Sequence, residues 1–265
     1  MNSTELNSSS VPPRIAAAQF PTPRGQPLGE NPEEREPIAT VVGAIDAILR
    51  QPRRVMYQLR QSGAGRLILA MLFVAIACSL VYGLVVGSFS MHAQLWAAPV
   101  KIAGGLLVSA LICLPSLYIF TCQSGSQARL AEMGGLLTGL LMLMTILLVG
   151  FAPVAWLFSQ STESAVWMGI LHLLFWGIAT IFGLRFLEAG FAHSQARSRA
   201  GLSTWMVIFV LVAVQMTTAL RPIVGSANTF LPGERKFFVS YWNECLNSPT
   251  PGSQQSTRQD RPSNN

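Results

Sequence analysis

The sequence predicts an all-α fold: a polytopic membrane bundle of five transmembrane helices flanked by two amphipathic helices. Three observations predict it. The composition is 51% hydrophobic and only 11% charged, where soluble domains carry about 25% charged residues. The apolar residues come in blocks, and one long block, Met133 to Thr162, holds no charge between Glu132 and Glu163. A hydrocarbon core of about 30 Å takes about 20 helical residues, so Gly134 to Phe158 is long enough to cross. Finally, the net charge of +6 comes from 16 Arg and 2 Lys that stand beside the apolar blocks, not on a soluble domain. They read as topology signals, and nucleic acid is not an expected partner.

Residues 1–37 are rich in Ser, Pro, Glu and Asn and poor in large apolar side chains. Such a segment buries too little surface to offset its ordering entropy, so a disordered cytoplasmic tail is expected. No short apolar region follows a basic start, so no cleavable signal peptide is expected and the first span acts as its own signal. Residues 38–62 carry Val41, Val42, Ile45, Ile48 and Leu49, then Val55, Met56 and Leu59, at helical spacing. Pro52 divides them into two short helices. With Arg50, Arg53, Arg54 and Arg60 on the polar side, this is the composition of an interfacial anchor on an anionic leaflet, or of a docking site for a soluble partner.

The spans follow within residues 63–222, at about 67–89, 99–120, 134–158, 165–187 and 202–220. Short connections make the five helices one bundle, with neighbours antiparallel. Arg50, Arg53, Arg54, Arg60, Arg66, Arg129, Arg185, Arg197 and Arg199 all fall on one side of this topology, and the loops at 90–98 and 159–164 have no Lys or Arg. The N-terminus is therefore expected in the cytoplasm and the C-terminus outside. Trp96, Trp156 and Trp167 fall at the same outer interface, as an aromatic belt does. Residues 228–247 hold a further amphipathic helix, Pro232 to Leu246, anchored by Phe237, Phe238, Tyr241 and Trp242 on the outer leaflet. Residues 248–265 are again polar and expected to be disordered.

The layout of a short amphipathic helix broken by proline (Ala47-Ile48-Leu49-Arg50-Gln51-Pro52) and five closely spaced spans resembles the bacterial Yip1-like family of integral membrane proteins. The resemblance covers roughly Ile45 to Leu220 and includes Tyr82-Gly83 and the small-residue-rich second and third spans. It implies five spans, a cytoplasmic N-terminus and a bacterial inner-membrane location. It carries over no functional residue, and the Trp-containing helix after the fifth span departs from the family's usual short ending.

Candidate functional residues are few. Gly83/Gly87 and Gly135/Gly139 are spaced to let helices approach closely, within this chain or in a homo-oligomer. Lys101 opens the second span, Arg221 closes the fifth, and His172 lies about two turns into the fourth from the same side. Together they suggest a cavity for an anionic headgroup or small anion. Alternatively, both cations snorkel to phosphates and His172 serves a helix contact. Gln215, Thr217 and Thr218 in the fifth span call for interhelical hydrogen bonds. No HExxH pair, GxSxG elbow, phosphate-binding loop or intramembrane aspartate pair occurs, since Asp46 and Asp260 are the only aspartates. The four cysteines, Cys78, Cys113, Cys122 and Cys245, have no metal-ligand spacing. No catalytic, metal or cofactor site is therefore expected. The leading expectation is a membrane-organising or scaffold protein whose partners are the bilayer, other membrane proteins or itself. A small transporter or channel for an anion is the alternative, and a lipid-modifying enzyme the weaker one.

Overall fold

The computed structural model describes residues 27–88, 94–126, 128–161, 165–193 and 200–219. Arg221, Trp242, the helix expected within 228–247 and the tails 1–26 and 248–265 lie outside the described residues. Among those described, all regular structure is α-helical: α1 (Pro32–Arg35), α2 (Val41–Arg50), α3 (Pro52–Leu59), α4 (Gly65–Ser88), α5 (Gln94–Gln123), α6 (Leu130–Ser161), α7 (Ala165–Ala192) and α8 (Ala200–Ala219).

Local chemistry sets the short elements. Thr40 caps α2, its hydroxyl accepting from the Gly43 N–H at 3.0 Å. Pro52 stops α2 and opens α3, where a missing N–H costs nothing in the first turn. Gly63, at φ 106°, turns the chain into α4.

Four helices, α4 to α7, are long and apolar enough to cross a membrane, which is compatible with a multi-pass membrane protein. The apolar run in α8, Gly201–Met216, is shorter. Side by side the helices run in the order α8, α5, α4, α6, α7, so the sequence neighbours α5 and α6 are separated by α4 over most of their length. In α6, Leu140, Leu141, Met142 and Met144 are all buried, which covers more than one side of the helix and places it at the centre.

The bundle has two ends. At the hairpin end, Ala44, Ala47 and Ile48 of α2 and Val55, Met56 and Leu59 of α3 are buried against α4, α6 and α7. This apolar face is covered by the chain's own helices and not available to a leaflet. Val42 and Leu49 stay exposed on the outside. At the tryptophan end, Trp96, Trp156 and Trp167 are exposed where α5 starts, α6 finishes and α7 starts.

The expectation of disorder through residue 37 is corrected at its last stretch. Pro27 to Glu36 forms a turn and α1, docked on α3. Apolar burial was the wrong criterion here, because polar bonds hold the segment. The Glu34 carboxylate accepts from the Gly29 N–H at 2.5 Å and from Arg53 Nε at 2.7 Å. Arg35 Nε donates to the Gly29 carbonyl at 2.7 Å, and Gln58 Nε2 donates to that of Glu36. Gly29, at φ 90°, lies so close under the Tyr57 ring that a side chain there would strike it.

Candidate functional site

The apolar half toward the tryptophan end contains a buried polar pair. Tyr82 of α4 and His172 of α7 are 1% and 8% exposed, and the Tyr82 hydroxyl lies 2.7 Å from His172 Nδ1. The rings meet edge to face at 86° with centroids 5.7 Å apart, so the hydrogen bond and not stacking aligns them. His172 Nε2 is buried with no hydrogen-bond partner among the described residues. One turn along α7, Phe175 stacks on Phe151 of α6 at 4.8 Å, giving the pair an aromatic neighbour.

Close packing sets the height of this pair. Next to Tyr82, Gly83 sits directly against Pro99 of α5, where a β-carbon would overlap the Pro99 Cα and lie 2.9 Å from its nitrogen. Gly87 is buried one turn further along α4. Gly135 packs under Leu59 and Ile68, and Gly139 under Phe186 with Ile48 behind it, so this glycine pair receives the hairpin and α7.

Lys101 is only 2% exposed. Arg221 lies outside the described residues, and the hydrogen-bond partner of His172 is Tyr82.

The hairpin end holds a second polar group. Arg60 Nε meets Glu132 Oε1 at 2.8 Å and ties the end of α3 to the start of α6. Arg54 pairs with Glu36 at 3.3 Å, and the exposed Arg50 with Asp46 at 3.1 Å. Burial alone would raise the Glu34 carboxyl, but the bonds from Arg53 and the Gly29 N–H outweigh it and hold its pKa below the usual value. His193, just past α7, is pushed down by burial first and then by the nearby charges of Arg53 and Arg60.

Sequence reasoning had assigned Tyr82 no role, yet a signal existed. A tyrosine inside an apolar span needs a partner for its hydroxyl, and His172 is the one histidine in any span. The Glu34 pocket also had one: Asn31-Pro32-Glu33-Glu34 is a helix start, with proline and acidic residues in the first turn. Trp205 Nε1, which donates to the Cys113 carbonyl at 2.9 Å and joins α8 to α5, carried no comparable signal.

No protein-family model matches the chain, and neither a curated protein nor a solved structure does.

Proposed function

We propose that the chain is an integral membrane protein of five spans that acts as a membrane organiser, binding other membrane proteins or lipids, and that it belongs with the bacterial Yip1-like proteins in the inner membrane. The observation that carries this reading is the filled interior. Mid-α6 is buried in Leu and Met on more than one side, and the spans contain no Asp or Glu except Glu132 and Glu188 at the hairpin end. A pathway for ions or an intramembrane reaction centre needs polar groups in series across the bilayer. In the half toward the tryptophan end, the Tyr82–His172 bond joins two neutral side chains and carries no charge across the bilayer. By contrast, the outward faces of the bundle are rich in large apolar side chains, among them Phe73, Leu84, Leu111, Phe182 and Leu211.

α8 is the fifth span in this reading. Its 20 residues carry no charge, Trp205 anchors it to α5, and Arg221 follows it. The hairpin end is cytoplasmic, because Arg50, Arg53, Arg54, Arg60, Arg66 and Arg129 gather there and the tryptophans mark the other end. A reporter active only outside the cytoplasm is then on when fused after Asn265 and off when inserted near Gln195.

Purification in mild detergent tests the organising role: a specific membrane protein or lipid co-purifies in fixed ratio. A lone monomer that instead carries anions across reconstituted vesicles, and loses that flux on Lys101→Ala, would overturn the reading in favour of a transporter.

A further inference from the structure

We infer that His172 Nε2 is a binding point for a carbonyl or ester oxygen of an uncharged, lipid-soluble molecule, with Tyr82 fixing the ring as the donor. The inference requires only that the bundle lie in a bilayer, and not the organising role.

The first step is the tautomer. Two arrangements fit the 2.7 Å contact. If the ring nitrogen Nδ1 donates, the Tyr82 hydroxyl proton and the Nε2 lone pair are both left unpaired, because Nδ1 is the hydroxyl's one partner among the described residues. If the hydroxyl donates to Nδ1, only Nε2–H is left over. Buried polar groups are met wherever geometry permits, so the second arrangement holds. The leftover group is then a donor, and its complement is an acceptor oxygen.

The surroundings choose which acceptor. Phe175, one turn further along α7, stacks on Phe151, Met168 is fully buried one turn before His172, and no acidic side chain occurs in this half of α4, α5, α6 or α7. Nε2–H is a single neutral donor in these apolar surroundings, and a charged headgroup buried against it would be left largely uncompensated. An apolar molecule with a carbonyl therefore fits better than a phosphate. Two sources share that chemistry, the head of a quinone and the ester region of a diacyl lipid. Access runs from the bilayer: Ile170, Leu173 and Leu174 flank His172 on the exposed face of α7. α7 packs chiefly on α6, so a slight outward lean of its tryptophan end opens Nε2.

The test uses the full-length protein with 15N-labelled histidine in detergent micelles. The His172 ring is expected to show a protonated Nε2 and an accepting Nδ1. Its Nε2–H resonance should then shift saturably on titration with a short-chain benzoquinone, or with a short-chain diester lipid, which separates the two sources. His172→Phe abolishes saturable binding of the effective probe, and Tyr82→Phe removes the accepting signature at Nδ1. The wild-type titration is decisive even if either variant fails to fold. A ring protonated at Nδ1 overturns the proposal, as does an Nε2–H that exchanges freely with water and answers to neither probe, which identifies an enclosed water only.

Discussion

The hairpin end and the tryptophan half of this bundle solve the same problem, joining helices, with opposite materials. At the hairpin end, charges are numerous and paired: Glu34 with Arg53, Glu36 with Arg54, Glu132 with Arg60. Toward the tryptophan end, Tyr82 and His172 join α4 to α7 by a neutral hydrogen bond, and a glycine brings α4 onto α5. The difference follows from the surroundings. Near water, an imperfect ion pair costs little because solvent completes it. In an apolar medium the apolar side chains gain nothing by leaving lipid, so close fit must hold the helices together. The two ends should therefore fail under different insults.

The largest expected effect tests close fit directly. Gly83→Ala forces a β-carbon into the Pro99 backbone, which cannot rotate away as a side chain would. Overpacking of this kind costs about 3 kcal/mol, read as a loss of unfolding free energy in detergent. Gly150→Ala is the matched control, because a β-carbon there meets nothing within 4 Å. It should be neutral, or stabilising by up to about 1 kcal/mol through helix propensity. Equal losses at both glycines would show that the close approach at Pro99 is not what holds α4 to α5.

A smaller effect is expected from the hairpin end. Arg60→Ala leaves Glu132, 13% exposed in its side chain, without the guanidinium that joins α3 to α6. A partly buried pair of this kind is worth about 1–2 kcal/mol, between the exposed and the fully buried cases. Proteolysis in the connection between α3 and α4 should accelerate, while the bundle below stays folded. Raised salt should reproduce part of this effect and leave the Gly83→Ala defect untouched.

Much of this architecture was legible in the chain, and the limits were physical. The charge-free run around α6 announced a span, and the helix extends from Leu130 to Ser161, beyond the apolar core on both sides. Its ends were harder to place because a helix continues past the hydrocarbon for as long as its backbone bonds are met. Disorder was assigned to residues 27–37 from low apolar content, yet Glu34 is held by Arg53, a partner that composition does not reveal. Tyr82 and His172 stand 90 residues apart. Only the lateral order of helices, with α4 beside α6 instead of α5 beside α6, brings them together.

The smallest effect concerns pH at the hairpin end. His193 has its pKa lowered from 6.5 by burial and by Arg53 and Arg60, so the folded chain favours the neutral ring. As pH falls through 6.5, the unfolded chain takes up a proton that the folded one resists, and stability declines until the depressed folded value is passed. Glu34 acts in the same direction at lower pH. Its folded pKa lies below 4.5, so its contribution is complete above that value and is lost as pH falls through the folded one. Acidification from pH 7.5 to 5.5 should therefore loosen the hairpin end in a step that His193→Gln removes. Hydrogen exchange at residues 27–60 is the measurement, compared between the wild-type chain and His193→Gln. A rise in exchange there that persists unchanged in His193→Gln would overturn the assignment of the step to His193.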